Sequence, residues 1–151
     1  MTIRWLLAAF HLVALGIGLG AVFARAYLLQ RVFGSGAKQL RSVFLADNLW
    51  GLAALLWIAT GLLRVFGSFE KGSAYYLHSS SFWTKMAFFV LVLALEIRPM
   101  TTLIRWRLRS RTGTMPELSA ARGMARISYV QALLVVCMVF AATAMARGLN
   151  W

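Results

Sequence analysis

Four long segments of the sequence consist almost entirely of apolar residues, and shorter polar stretches separate them. The segments cover about residues 3–29, 43–65, 82–105 and 119–146. Each is long enough to cross a hydrocarbon core of about 30 Å, which takes roughly 20 helical residues. The apolar residues run continuously and do not alternate with polar ones, as they would in barrel strands. The pattern predicts an all-α fold, a single four-helix integral membrane bundle with each segment as one span.

The composition supports a membrane protein, and the charge distribution indicates its orientation. Hydrophobic residues make up 61% of the chain, and the net charge is +12. Eleven basic residues flank the connections between spans 1 and 2 and between spans 3 and 4: Arg25, Arg31, Lys38, Arg41, Arg98, Arg105, Arg107, Arg109, Arg111, Arg122 and Arg126. Four lie on the other side: Arg4, Arg64, Lys71 and Arg147. The positive-inside rule therefore predicts cytoplasmic basic loops and both termini outside, in the periplasm or extracellular space.

The same charges predict the kind of partner that the chain meets at its cytoplasmic face. In a soluble protein, such a basic excess would suggest nucleic acid. Here the basic residues flank spans, so we expect them to meet the anionic headgroups of the lipid bilayer, with arginines after Pro99 extending to the phosphates. Nucleic acid is not expected as a partner.

The first span contains closely spaced glycines, among them the GxxxG pair Gly16 and Gly20. This spacing permits close approach of two helices in lipid. We expect these glycines to pack inside the bundle, with dimerisation as the alternative.

Two ionisable residues lie inside apolar spans, where such groups are costly and mark candidate functional sites. His11 is in the first span and Lys85 is in the third, within FWTKMAFFVLVLAL. His11 is nine residues from Thr2, or about 13 Å at 1.5 Å per residue. Because the two helices start from the same side, both side chains can reach one layer of the bundle. Imidazole is a good ligand for iron, copper or zinc, and a desolvated amine is a potential ligand or base. The alternative is that His11 only hydrogen-bonds within the bundle and Lys85 extends to the surface.

A second set of charges is expected near the cytoplasmic end. His11, Gly18 and Arg25 follow heptad spacing on the first span, and Lys85 and Glu96 share a face of the third. Asp47 enters the second span from the same side as Arg25. We therefore predict intramembrane ion pairing among Arg25, Asp47 and Glu96. A proton path through these residues is the alternative.

Several motifs of established chemistry do not occur in the sequence. It has no CxxCH haem attachment motif, no Walker loop and no GxSxG nucleophile elbow. The single cysteine, Cys137, cannot form an internal disulfide. The residues therefore name no reaction, and whether the protein is an enzyme stays open.

Three stretches resemble a family of small bacterial membrane proteins known as domain of unknown function 2214. They are DNLWGLAALLWIATGLLRVF (47–66), EKGSAYYLHSSSFWTKM (70–86) and PMTTLIRW (99–106). The resemblance covers nearly the whole chain. It implies a four-span protein of the bacterial inner membrane and carries no assigned activity.

The chain is also distantly similar to the bacterial membrane protoporphyrinogen oxidase family and the neighbouring copper-resistance D family. The positions that carry this likeness are His11, Arg25 and Lys85, the last within Phe82-Trp83-Thr84-Lys85-Met86. It implies a comparable four-helix layout in which the histidine and the lysine take part in binding b-type haem.

These observations lead to one functional hypothesis and two alternatives. The hypothesis is a membrane protein that binds haem b, with His11 as axial iron ligand and Lys85 as second ligand or propionate partner, and that exchanges electrons with a quinone or another membrane partner. The first alternative is a cofactor-free structural or accessory subunit of an oligomer or larger membrane complex. The second is a small transporter that works as an oligomer.

Overall fold

A computed structural model describes residues 2–32, 36–67, 78–114 and 116–148 of the chain. They form four long helices: α1 (Thr2–Arg31), α2 (Gly36–Phe66), α3 (Ser80–Arg111) and α4 (Ala121–Ala146). Within these ranges there is no strand. All four helices are long and apolar enough to cross a membrane. The predicted all-α bundle of four membrane-spanning helices is confirmed. Lys71, one of the basic residues predicted on the far side, lies outside the described residues.

Helices α1, α2 and α3 extend beyond the apolar segments from which they were predicted, whereas α4 begins at Ala121, two residues inside its segment. α2 begins at Gly36 rather than near residue 43, and α3 continues past its apolar segment to Arg111, as the helical spacing of residues 100–111 predicts. The added turns contain Lys, Gln, Arg and Leu, which all favour helix, so hydropathy marks the spans while propensity sets the helix ends. Pro99 lies buried inside α3. Proline is tolerated within membrane helices because neighbouring groups satisfy the freed backbone.

Helix α1 is the centre of the packing. It packs closely against α2 and α4, and α3 packs closely against α4. Side chains bridge α2 and α3, for example Trp57 against Phe89 with ring centroids 6.2 Å apart. We call the end that contains the start of α1 and the end of α4 the terminal end. The opposite end, where α1 leads into α2 and α3 into α4, is the basic end.

The buried apolar residues form two layers along the bundle. The layer at the basic end contains Leu29, Val32, Leu40, Val43, Leu103, Trp106, Ala121, Met124 and Ala125. The second layer, nearer the terminal end, contains Ala21, Val22, Trp50, Val92, Ala132, Val135 and Met138. On every helix a short gap in the sequence separates the two sets. Polar side chains in these gaps are therefore held between two apolar layers.

The expected use of the GxxxG pair is wrong. Gly16 and Gly20 are exposed, and a Cβ added to either would find no atom within 4 Å. Gly18 packs inside the bundle instead, where a Cβ would lie 3.4 Å from Cβ of Ala53 and 3.5 Å from the ring of Trp50. The heptad of His11, Gly18 and Arg25 sets the buried face of α1. Since Gly16 and Gly20 are each two residues from Gly18, they face outward.

Many large apolar side chains are exposed on the outer surface of the bundle, including Phe10 (62%), Leu55 (68%) and Phe140 (71%). A soluble protein rarely exposes such a continuous apolar surface. The lipid bilayer accounts for it, because hydrocarbon replaces a protein partner around a membrane bundle.

Candidate functional site

A buried guanidinium lies at the junction of all four helices. The side chain of Arg25 on α1 is completely inaccessible to solvent. Its Nη1 donates to Asp47 Oδ1 on α2 at 2.8 Å and to Glu96 Oε1 on α3 at 2.7 Å. Its Nη2 donates to Glu96 Oε2 at 2.8 Å and to Gln131 Oε1 on α4 at 2.9 Å. Its Nε donates to Ser128 Oγ at 3.1 Å. This arrangement uses the fixed fork of donors that arginine has and lysine lacks.

A second arginine balances the charge of this cluster. Arg107 on α3 donates from Nη2 to Asp47 Oδ2 at 2.6 Å. Gln131 donates from Nε2 to Glu96 Oε2 at 2.8 Å and to the backbone oxygen of Val92 at 3.1 Å. Two arginines therefore meet two carboxylates, and the formal charges cancel. We call the set Arg25, Asp47, Glu96, Arg107, Ser128 and Gln131 the arginine cluster.

The position of the arginine cluster follows from the two apolar layers. On α1, Arg25 lies between Val22 of one layer and Leu29 of the other. On α4, Ser128 and Gln131 are three residues apart and therefore share a helix face. Low surrounding polarity strengthens such hydrogen bonds and also makes an unpaired member costly. The cluster thus fixes the four helices relative to one another.

A cavity of about 330 Å³ lies at the terminal end of the bundle. His11 and Lys85 both line it. Arg64 on α2 and apolar side chains of α4 such as Met138 also contribute to the lining. A second lobe of about 200 Å³ is lined by α2 and α3 and shares His11 and Lys85 with the first. We call the two lobes together the terminal cavity. The structure thus brings His11 and Lys85 to the same space.

Thr60 and Trp57 provide two further polar groups, and both contact the ring of His11. His11 is buried, and its Nδ1 lies 2.9 Å from Oγ1 of Thr60 on α2. The His11 ring also packs on Trp57, with centroids 5.6 Å apart. Trp57 lines both lobes, and within the described residues its buried Nε1 has no hydrogen-bond partner. Buried N–H groups normally have a hydrogen-bond partner. The Nε1–H of Trp57 therefore remains available as a donor beside the cavity.

The apolar layer that contains Trp50 and Val135 separates the terminal cavity from the arginine cluster. A void of about 10 Å³ in this region has a largely apolar lining that includes Ala14, Leu15 and Val135. Dry apolar voids do not hold water. The two polar sites are therefore distinct parts of the molecule.

One protein-family model, described as a predicted membrane protein (DUF2214), matches residues 3–150. The chain belongs to the DUF2214 family. No curated protein and no solved structure matches the chain. Membership in DUF2214 agrees with the four candidate membrane spans and assigns no reaction.

The structure brings the predicted site residues into two groups. Arg25, Asp47 and Glu96 meet in the arginine cluster, and His11 and Lys85 share the terminal cavity. The expectation for Arg107 is corrected, because it is half-buried and bonds to Asp47 instead of extending to the surface with the neighbouring arginines.

Four residues that belong to the two sites were not predicted from the sequence: Ser128, Gln131, Thr60 and Trp57. Ser128 and Gln131 interrupt an apolar run at a spacing that places both on one face, which would have indicated a partner for the intramembrane charges. Thr60 is a weaker indication of a site in the sequence, since threonine commonly hydrogen-bonds to the backbone of its own helix. Trp57 carries none, because tryptophan is common in such spans.

The donors of the terminal cavity suit a haem better than a bare metal ion. Within the described residues there is no group of three or more His, Cys, Asp or Glu side chains that could hold a metal. A porphyrin supplies its own four nitrogens, so a single axial histidine is sufficient to hold its iron. The volume of the larger lobe is at the lower end of the roughly 300–1,000 Å³ typical of ligand pockets. The lining thus provides one imidazole together with the cations of Lys85 and Arg64, a set of side chains of the kind that could hold a haem.

Proposed function

We propose that this DUF2214 protein binds b-type haem in the terminal cavity and serves electron transfer in the membrane. The observation that carries the proposal is that His11 and Lys85, two ionisable residues on different membrane spans, line one cavity. Ionisable groups inside a membrane span are costly and rare, so each marks a candidate functional site by default.

Each lining group has a defined part in this proposal. His11 would provide the axial nitrogen for the iron, and its Nδ1 contact with Thr60 would hold the ring in place. Lys85 would bind as second ligand or pair with a haem propionate. Trp57 would donate its free N–H to a carboxylate oxygen of the same ligand. When bound, haem would supply one-electron chemistry for a quinone or another redox partner in the membrane.

The terminal cavity can be closed by one substitution with a matched control on the same helix. Gly61 lines both lobes, and a Cβ there would lie 3.4 Å from Cε1 of His11. Gly51 is exposed, with no atom within 4 Å of an added Cβ. A leucine side chain at this position would take up space in the cavity, and forcing extra volume into a packed site costs about 1–3 kcal/mol. We therefore expect Gly61→Leu to weaken haem binding roughly tenfold or more.

The measurement is a haemin titration of the haem-free protein in lipid nanodiscs, followed by the Soret band. Gly51→Leu should bind as the wild type does. Equal affinity of the Gly61→Leu and wild-type proteins would show that haem does not enter the terminal cavity.

The proposal includes an orientation in the bacterial inner membrane, with the basic end in the cytoplasm. It is supported by the excess of arginines near the basic end and by the positive-inside rule. A reporter enzyme that is active only outside the cytoplasm, fused after Trp151, should therefore be active. A fusion within the connection between α3 and α4 should be inactive. The reverse result would invert the orientation and place the terminal cavity on the cytoplasmic side.

A second candidate function, a cofactor-free accessory subunit, is supported by one observation. A shallow groove of about 620 Å³ lies between α1 and α4 on the outer surface, lined by Gly16, Gly20 and Phe23 among others. Small residues on an exposed helix face permit close approach of a helix from another membrane protein. Recovery of the protein without a chromophore, bound to a second membrane protein, would favour this function over haem binding.

A further inference from the structure

The contact between Thr60 and His11 connects two helices inside the bundle. Thr60 Oγ1 on α2 lies 2.9 Å from His11 Nδ1 on α1. Both residues are 8% exposed. In a neutral imidazole, one nitrogen carries hydrogen and the other carries the lone pair. Which nitrogen carries the hydrogen therefore depends on whether Thr60 donates or accepts the hydrogen bond in this contact.

The hydroxyl of Thr60 has a single hydrogen, and its own helix provides the acceptor. Oγ1 lies 2.7 Å from the backbone oxygen of Leu56 and 3.1 Å from that of Trp57. A carbonyl oxygen only accepts hydrogen bonds, so at 2.7 Å the hydrogen must lie between the two oxygens. If the hydroxyl pointed at His11 instead, lone pairs of two oxygens would face each other at that distance. Thr60 Oγ1 must then accept from His11.

We propose that Thr60 is a positioning residue that holds neutral His11 with the hydrogen on Nδ1 and the lone pair on Nε2. The inference rests on the proposed function, since Nε2 is then the atom that acts on the ligand of the terminal cavity. Nε2 would then be the atom that binds an iron or accepts from a hydrogen-bond donor of the ligand, while Nδ1 would hold the orientation of the ring. Histidine ligands of metals generally donate their second ring nitrogen in this way.

Nuclear magnetic resonance of the haem-free protein tests the hydrogen position directly. The chain contains two histidines, His11 and His78. In protein labelled with 15N at histidine, His78→Ala assigns the remaining ring signals to His11. Long-range 1H–15N spectra above the pH at which the ring is protonated should show Nδ1 as the protonated nitrogen and Nε2 as the unprotonated one. Thr60→Ser keeps the hydroxyl and should keep this pattern, whereas Thr60→Val should lose it. A wild-type ring with hydrogen on Nε2, or the same pattern in Thr60→Val, would overturn the proposal.

A haemin titration separates this inference from the proposed function. Supporting groups of a metal ligand typically contribute about 10–100-fold to affinity. We therefore expect Thr60→Val to weaken haem binding by that factor, and Thr60→Ser to stay within a few fold of the wild type. Wild-type affinity in Thr60→Val would overturn the positioning role while leaving haem binding intact. Absence of haem binding in the wild type, with the Nδ1–H pattern present, would refute the proposed function and leave the hydrogen position established.

Discussion

Replacing Arg25 with methionine is expected to cause the largest loss of stability of any substitution in this chain. Arg25 donates to side chains on the other three helices, and its removal leaves the half-buried carboxylate of Glu96 without a cation. Breaking a buried ion pair by removing one partner costs on the order of 3–5 kcal/mol. In detergent, the Arg25→Met protein should show a strongly reduced denaturation temperature or fail to give a monodisperse fraction.

Two comparisons separate this effect from the simple loss of an arginine. Arg98→Met on α3 removes an exposed arginine and should leave the denaturation temperature nearly unchanged. The double variant Arg25→Met/Glu96→Gln removes the unpaired carboxylate and leaves Asp47 with Arg107. It should be more stable than Arg25→Met alone, because charge balance is restored. Arg25→Met with wild-type stability, or a double variant below the single one, would contradict the clamping role of the arginine cluster.

Replacing His11 with alanine is expected to remove most of the haem from the protein. His11 is the imidazole that lines the terminal cavity, and two other lining side chains, Lys85 and Arg64, are cations that suit propionates. The protein purified from haem-replete cells should therefore lose most of its reduced-minus-oxidised difference spectrum when His11 is changed. Stability should fall only moderately, since Thr60 retains its bond to the backbone of Leu56.

The control for this variant is His78→Ala, the other histidine of the chain, which is exposed before α3. It should keep the wild-type spectrum. A His11→Ala protein with unchanged haem content would place the cofactor elsewhere or show that it binds without protein ligation.

The fold could be predicted from the sequence because the bilayer imposes a simple requirement on it. A continuous apolar run of sufficient length has few alternatives to a helical span. His11, Gly18 and Arg25 share one face of α1, as their heptad spacing predicted, and the structure shows that this face is buried. The helix ends were harder to predict, because the turns beyond the hydrocarbon core are polar and form according to helix propensity.

The two sites could be predicted from the sequence only in part, for a different physical reason. Charges inside a span must find partners, so Arg25, Asp47 and Glu96 were predicted to meet and the structure brings them together. Neutral residues such as Gln131 and Thr60 are common in helices, so they indicate a partner of an intramembrane charge less clearly than another charge does. The use of Gly16 and Gly20 depended on which face of α1 turns inward, and two helix faces contain glycines.

The most direct test of the central claim is the haem content of the wild-type chain, purified from haem-replete membranes. The proposal that the terminal cavity holds haem b predicts close to one haem per chain, with the reduced-minus-oxidised spectrum of a b-type cytochrome. A monodisperse, folded protein without a Soret band would contradict it.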